Sequence, residues 1–296
     1  MSSCRALRRL LLVASCIWLG ACGERPLEPR DPTPGVPHYR FVTYNIAFPK
    51  AGDGDTLRAV GETHGDVIAL QETNAEWRDA LASHYAEEYP YMLFEALDGP
   101  DGLGVLSRFP LQDDGFLPGP EDGHPAWHVR VETPAGPVQI LNVHLRALFD
   151  GSGDPVSSYF QTGGDHLYEM KQFLSQCEPA LPTIVLGDFN EGVDGQAIGY
   201  LENHGFDNAL PLYHPGQPTW HMDSVADQMQ MTIDHVLFDA SFEPLNAYAL
   251  DAGKSDHWPV VAHLETRWVP PRARLRRVWA RPESPDPRGV RSPWGP

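Results

Sequence analysis

From Tyr39 to about Thr266 the apolar residues come in short runs, separated by polar windows in which apolar side chains recur every three or four positions. Arg40–Ala47 carries Phe41, Val42, Tyr44 and Ile46 in a β run, and Asp66–Leu70 is a second, ending in Gln71-Glu72. Thr56–His64 and Ala75–Tyr85 suit helices; in the latter Trp77, Leu81 and Tyr85 share one face. Strands are also predicted at Tyr91–Phe94, Gly102–Leu106, Trp127–Glu132, Val138–Leu145, Thr183–Leu186, Thr232–Phe238, Leu245–Leu250 and Val260–Leu264. Two more helices are predicted at His166–Gln176 and Gly195–His204. Pro134-Ala135-Gly136-Pro137 is a turn that would join its flanking strands as a hairpin. Ala147–Gly164 is rich in Gly, Ser and Asp and reads as a loop over a cleft. Strands and helices that alternate, with hairpins among them, predict two layered sheets with helices outside, rather than a doubly wound sheet. No internal repeat and no second domain boundary interrupts the body.

The two ends follow other rules. Residues 1–22 have a basic start (Arg5, Arg8, Arg9) and an apolar stretch from Leu10 to Ala21. That stretch is too short for a membrane-spanning helix and suits an export signal. Its close, Leu19-Gly20-Ala21-Cys22, resembles the bacterial lipoprotein cleavage box. The resemblance implies a lipid on Cys22 and a cell-envelope location; Gly23, not Asp, after the cysteine points to the outer membrane. An ordinary secretory signal is the alternative. Residues 23–38 contain five prolines and read as an extended, semi-stiff spacer between that anchor and the folded part. Residues 268–296 form a tail rich in Pro and Arg, with seven arginines against two acids, for which disorder is the default. Cys4 and Cys16 fall inside the signal, so Cys22 and Cys177 remain and no internal disulfide is expected.

Charge sharpens once the ends are set aside. The 296-residue chain has a formal net charge of −18, but the signal contributes +3 and the tail +5, which leaves a body of −26. Only three lysines occur, Lys50, Lys171 and Lys254. Such a body lacks the broad basic surface by which proteins neutralise a DNA backbone.

The polar residues become informative where strands stop. Asn45 lies inside a β run, Glu72 follows Val-Ile-Ala-Leu-Gln, and Asn142 and His144 sit within Ile-Leu-Asn-Val-His-Leu. Asp188 and Asn190 follow Ile-Val-Leu-Gly, Asp234-His235 follows Thr-Ile, and Asp256-His257 precedes Trp-Pro-Val-Val. A polar group in an apolar strand is costly unless paired. One such group is ordinarily a satisfied hydrogen bond. Six clusters almost free of Lys and Arg, if they meet at one sheet edge, need a cation. Oxygen ligands favour a hard divalent ion, Mg²⁺ ahead of Zn²⁺, with Mn²⁺ or Ca²⁺ as alternatives.

The ordered set Thr43-Tyr44-Asn45, Leu70-Gln71-Glu72, Asn142-Val143-His144, Gly187-Asp188-Phe189-Asn190, Ile233-Asp234-His235 and Ser255-Asp256-His257 resembles the endonuclease/exonuclease/phosphatase superfamily, the group of deoxyribonuclease I. Gly104-Val105-Leu106-Ser107-Arg108 and Pro218-Thr219-Trp220 support it, and together the motifs span residues 39–266. The resemblance implies a four-layer α/β sandwich of two facing mixed sheets flanked by helices, with the site at one edge. It implies that Glu72 is the principal Mg²⁺ ligand, with Asn45 and Asp256 near the same ion. Asp188 would bind or orient the attacking water and a second metal, and Asn190 would hold a phosphate oxygen. His257, aligned by Asp234, would be base or phosphate polariser. His144 would stabilise the transition state or protonate the leaving oxygen. Arg108 and Trp220 are candidate substrate contacts, each with a structural alternative in a surface pair or in core packing. His124, His128, His166, His214 and His221 match no motif and are expected to be surface or structural residues.

The expected activity is hydrolysis of a phosphate ester, with phosphodiesters favoured and the substrate a nucleic acid, a phospholipid headgroup or a small organophosphate. The chain is expected to act as a monomer. A surface lipoprotein using the same fold as a binding module is the reading from another class; decay of the motif set would mark it, and none is visible.

Overall fold

The computed structural model describes residues 25–120, 123–147, 155–222 and 229–267, with the side chains of 155–161 left aside. The proposed signal, Cys22 and the basic tail lie outside the described residues. The first half of the chain forms β1 (His38–Asn45), α1 (Gly54–Glu62), β2 (Val67–Gln71), α2 (Ala75–Tyr85), β3 (Tyr91–Glu95), β4 (Leu103–Ser107), β5 (Leu111–Leu117), β6 (Ala126–Thr133) and β7 (Gly136–His144). The second half adds α3 (Pro155–Leu174), β8 (Thr183–Asp188), α4 (Gln196–Asn203), β9 (Phe206–Asn208), α5 (Ala209–Tyr213), β10 (Trp220–His221), β11 (Gln230–Met231), β12 (Asp234–Asp239), β13 (Phe242–Ala249) and β14 (Val260–Thr266).

Two six-stranded sheets result, in the orders β13-β14-β1-β2-β4-β3 and β5-β6-β7-β8-β12-β9, with β10-β11 as a small ribbon. Both are mixed: β1 and β2 are parallel, as are β7 and β8, and the other pairs are antiparallel. Alternation explains the layers. Phe41, Val67, Val105, Val129, Ile140, Leu186 and Val236 point inward and form the core between the sheets. Val42, Tyr44, Ile68 and Leu70 face the other way, against Trp77 and Leu81 of α2 and Ala59 and Val60 of α1. Leu141, Val143 and Val185 pack on Met170, Phe173 and Ile198 of α3 and α4. Three cores between four layers make the α/β sandwich that the motif set implied.

The helix ends have local causes. Asp53 accepts a hydrogen bond from the Thr56 amide and Asn74 one from the Trp77 amide, so both α1 and α2 start on a side-chain cap. Three features depart from the sequence reading. The stretch expected to be a loop up to Gly164 is helical from Pro155 onwards; Pro suits a first helical position, and the following apolar face outweighs Gly163-Gly164. β5 went unpredicted because Gln112, Asp113, Asp114 and Gly115 break its alternation; it is an edge strand with a bulge between Asp113 and Gly115. The Pro-rich segment is extended, but over residues 25–37 it is not a free spacer. Leu27 N donates to Leu212 O at 2.7 Å, Arg30 N to Leu245 O at 3.0 Å and Thr33 N to Glu265 Oε2 at 2.8 Å, strapping it along α5, β13 and β14. Cys177 is a buried free thiol. No described helix is long and apolar enough to cross a membrane.

Candidate active site

Strand direction decides where the polar residues go. β1, β2, β7 and β8 all finish at the same end of the sandwich, and β12 starts there, with Asp234 opposite Asp188. The segment Ser255–His257 precedes β14 at that end, tied down by Ser255 Oγ donating to Asn45 O at 2.7 Å and by a bridge between Trp220 and His257. Beneath the site, Gln71 Nε2 donates to Asn142 Oδ1 at 2.7 Å, and Asn142 Nδ2 donates to Leu70 O and Gly104 O. These buried amides lock one sheet to the other. Gly187 lets β8 pass close to β7: a Cβ there would lie 1.9 Å from Val143 O, and its φ is +152°.

Asp188 is the centre. Its side chain is 1% exposed, with Oδ1 accepting from Asn190 N at 2.9 Å and Oδ2 from Asn45 Nδ2 at 3.0 Å. Two imidazoles face the same Oδ2: His144 Nε2 and His257 Nε2, each at 3.6 Å. Asn45 Nδ2 also donates to Glu72 Oε1 at 3.0 Å, so one amide joins both carboxylates while its Oδ1 accepts from Ala47 N. Glu72 Oε2 accepts from Phe48 N at 3.0 Å. His257 Nδ1 lies 3.0 Å from both oxygens of Asp234, whose backbone N–H donates to Thr219 Oγ1.

The electrostatics separate the two histidines. Burial alone would lower His257, but Asp234 and then Asp188 outweigh it and raise the imidazole to about 10. His257 is therefore a cation at neutral pH, and its Nε2–H points at Asp188. Burial pushes His144 down to about 4, against the pull of Asp188. His144 is neutral; its Nδ1–H donates to Pro100 O at 3.1 Å, which leaves the Nε2 lone pair facing the site. Burial raises Asp188, yet His257, His144 and the bonds from Asn190 and Asn45 together hold it below the ordinary carboxylate range. Glu72 is raised by burial, which its bonds from Asn45 and Phe48 only partly offset.

Backbone strain concentrates here. Ala47 (φ 56°), Glu72 (φ 60°) and Asn190 (φ 49°) are three of the four non-glycine residues with positive φ among the described residues. Asn tolerates that region; a glutamate there costs roughly 1–2 kcal/mol.

A divalent ion suits the donor set. Glu72, Asp188, Asp234 and Asp256 face one protonated histidine, and among the described residues no Lys or Arg pairs with these carboxylates. Asp188, Asp234 and His257 each offer a ligand atom within 4.8 Å of the others and could hold a metal ion. With Nδ1 of His257 committed to Asp234, its ligand atom would be Nε2, which has to give up its proton before it can bind an ion. The oxygens of Glu72 and Asp188 on either side of Asn45 are the second place where hard ligands meet. Asp256 is exposed, and its Oδ2 accepts from Trp220 Nε1 at 3.0 Å; Trp220 is 9% exposed and supports that loop.

The structure brings together Asn45, Glu72, His144, Asp188, Asn190, Asp234 and His257, with Asp256 and Trp220 beside them. Arg108 is not brought there. It follows β4 at the opposite end of the sheet, where Ser107 pairs with Val67, and its guanidinium bridges Asp66 and Glu88. The choice left open by the sequence falls on the surface pair. Asn190 donates its Nδ2 to Leu145 O at 3.0 Å as well as its backbone N–H to Asp188. Sequence reasoning set His124 aside, yet it stacks on His144, with ring centroids 4.3 Å apart and planes 18° apart. No spacing rule reveals it, because it precedes β6 and no strand register links it to a motif.

The family model of the endonuclease/exonuclease/phosphatase family matches residues 42–257, more than half of the chain. Solved structures agree in fold. An endonuclease/exonuclease/phosphatase from Beutenbergia cavernae is 18% identical, with a TM-score of 0.60 over 77% of this chain and 72% of that one. TDP2 of D. rerio, complexed with single-strand DNA product, is 14% identical with a TM-score of 0.61, over 77% of this chain and 99% of that one. An AP endonuclease from Archaeoglobus fulgidus is 17% identical with a TM-score of 0.58, over 76% and 98%. No curated protein matches the chain. At such identities the solved structures establish the sandwich and not the substrate, but the family model matches residues 42–257: the chain belongs to the endonuclease/exonuclease/phosphatase family.

Proposed function

We propose that the protein is a divalent-metal-dependent phosphoesterase, with Mg²⁺ the expected ion and phosphodiesters the favoured substrates. The observation that carries this reading is the focus on Asp188 Oδ2, where an ionised carboxylate meets a neutral and a protonated imidazole at 3.6 Å each. Hydrolysis of a phosphate ester needs a water held for attack, neutralised non-bridging oxygens and a proton for the departing oxygen. Asp188 Oδ2 and His144 Nε2 are two acceptors 3.6 Å apart, a spacing at which a single water can donate to both. His257, charged by Asp234, supplies a donor for a phosphate oxygen, and the carboxylate on its far nitrogen fixes its orientation. Glu72 and Asp188, whose oxygens lie on either side of Asn45, would hold the ion, which leaves His257 as the donor. A bound divalent ion supplies charge neutralisation at a non-bridging oxygen.

A body charge of −26 supports small or locally engaged substrates over long duplexes, because capture of a polyanion is slowed unless ions screen it. A single nucleic-acid strand stays among the candidates, as one structural relative is described with single-strand DNA product. A lipid on Cys22 and an outer-membrane location belong to the same proposal and rest on the sequence motif. The test is a panel of bis-p-nitrophenyl phosphate, single-stranded DNA and sphingomyelin with the purified protein. Turnover of at least one in Mg²⁺ and none in EDTA is expected. No turnover of any, with tight binding of one, would replace the enzyme by a binding module.

A further inference from the structure

Neither the motif set nor the proposed mechanism uses His124. We propose that His124 is a positioning residue that fixes the plane of the His144 ring, so that Nε2 of His144 stays aimed at Asp188. This deepens the phosphoesterase reading in its kinetic arm and stands independently of it in its structural arm.

The Pro100 carbonyl accepts from His144 Nδ1 at 3.1 Å, which selects the tautomer but holds the ring at one atom. A ring held at one atom can still rock about that bond and swing Nε2 off its target. The face of His144 is closed by His124, stacked at 4.3 Å and 18°. His124 is itself held: its Nδ1 lies 2.6 Å from Asp101 Oδ1, and its side chain is only 16% exposed. Adjacent residues of the β3–β4 loop, Pro100 and Asp101, thus hold the two rings at once. The backbone repeats the link, with His144 N donating to Pro125 O at 3.3 Å, one residue beyond His124. The backbone next to His124 is closely packed: a Cβ on Gly119 would lie 2.0 Å from Gly123 O, and one on Gly123 would lie 1.9 Å from Glu169 Oε1. Precise aim matters here, since misplacing a reacting group by about 1 Å can cost on the order of 100-fold in rate.

His124→Ala removes the stack, His124→Phe keeps a ring without the Asp101 bond, and each is made with and without His144→Ala. The first readout needs no activity: the imidazole ¹⁵N–¹H spectrum of the metal-free protein at neutral pH. The wild type is expected to show one His144 tautomer with a protected Nδ1–H. His124→Ala should lose that protection, and His124→Phe should keep most of it. The second readout is kinetic, in Mg²⁺ with bis-p-nitrophenyl phosphate. His124→Ala should lower kcat by about 10- to 100-fold at nearly constant KM. In the His144→Ala background the same change should alter kcat less than about twofold.

An unaltered His144 signal in His124→Ala overturns the proposal. So does an equal kcat loss with and without His144, because that marks a role elsewhere. If the wild type hydrolyses no phosphate ester while His124→Ala still loses the signal, the positioning stands and the phosphoesterase reading fails.

Discussion

The two ends of the sandwich are made from the same strands and obey opposite rules. At the end that carries the candidate site β1, β7 and β8 finish in Asn45, His144 and Asp188 and Glu72 follows directly after β2, with three residues in left-handed backbone and buried carboxylates side by side. At the other end β2 and β8 begin in Val67 and Thr183, Val138 lies near the start of β7, and β13 begins in Phe242, all buried. That end closes with a hairpin turn, the N-terminal strap and a cleft of about 450 Å³ lined by Val36, Pro37, Val138, Leu181, Pro182 and Phe242. The difference separates two jobs within single strands: the apolar starts contribute stability, and the polar finishes hold charge and strain that cost stability and serve chemistry.

The sharpest way to break that division is to change one end and look for effects at the other. Asp188→Asn keeps shape and removes the carboxylate; kcat should fall by roughly 10³-fold or more, with the thermal midpoint shifted by only a few degrees. Phe242, 1% exposed, is its counterpart. Phe242→Ala should lower unfolding free energy by about 3–5 kcal/mol in a denaturant titration, with kcat per folded molecule unchanged. If Asp188→Asn unfolds the protein, or Phe242→Ala lowers kcat in the folded fraction, the division fails.

The histidines sharpen the comparison within the end that carries the candidate site. An NMR titration of the metal-free protein should show His144 protonating near pH 4 and His257 losing its proton near pH 10. The stability consequences have opposite signs. His144 has a lowered folded value, so its contribution is present above the unfolded 6.5 and is lost as pH falls towards 4. His257 has a raised one, so its contribution is full below 6.5 and is lost as pH rises towards 10. Both signals titrating together near 6.5 would dissolve the distinction between them.

Strain offers a smaller effect. Glu72→Gly relieves a glutamate at φ 60°. Stability should stay level or rise by up to about 1 kcal/mol while activity is lost. The least effect belongs to the strap: Arg30→Ala removes a half-exposed pair with Glu265 at 2.8 Å and should cost under about 1 kcal/mol. A larger loss would make the strap a main support of the distal end.

The end that carries the candidate site was the more legible in the sequence, for a physical reason. Polar residues that interrupt apolar strands stand out, so the clusters around Asn45, Glu72, His144, Asp188, Asp234 and Asp256-His257 were visible, and the family resemblance then sorted the site residues among them. Ala75–Tyr85 was also legible, since its cap and periodicity agree. The misses share a cause. β5 hides because an edge strand tolerates Asp113 and Asp114, and the start of α3 hides because tertiary packing overrides Gly163-Gly164. Arg108 follows a matching motif but lies at the far end of β4, a fact only strand direction reveals. His124 acts through a stack between loop and strand, which leaves no trace in periodicity.

The central claim is that the cluster around Asp188 hydrolyses phosphate esters with a bound divalent ion. Initial rates on bis-p-nitrophenyl phosphate, for wild type and Asp188→Asn in Mg²⁺ and in EDTA, test it most directly. Turnover is expected for the wild type in Mg²⁺ alone, with both EDTA and the substitution abolishing it. Wild-type rates that survive EDTA, or that Asp188→Asn retains in full, would contradict it.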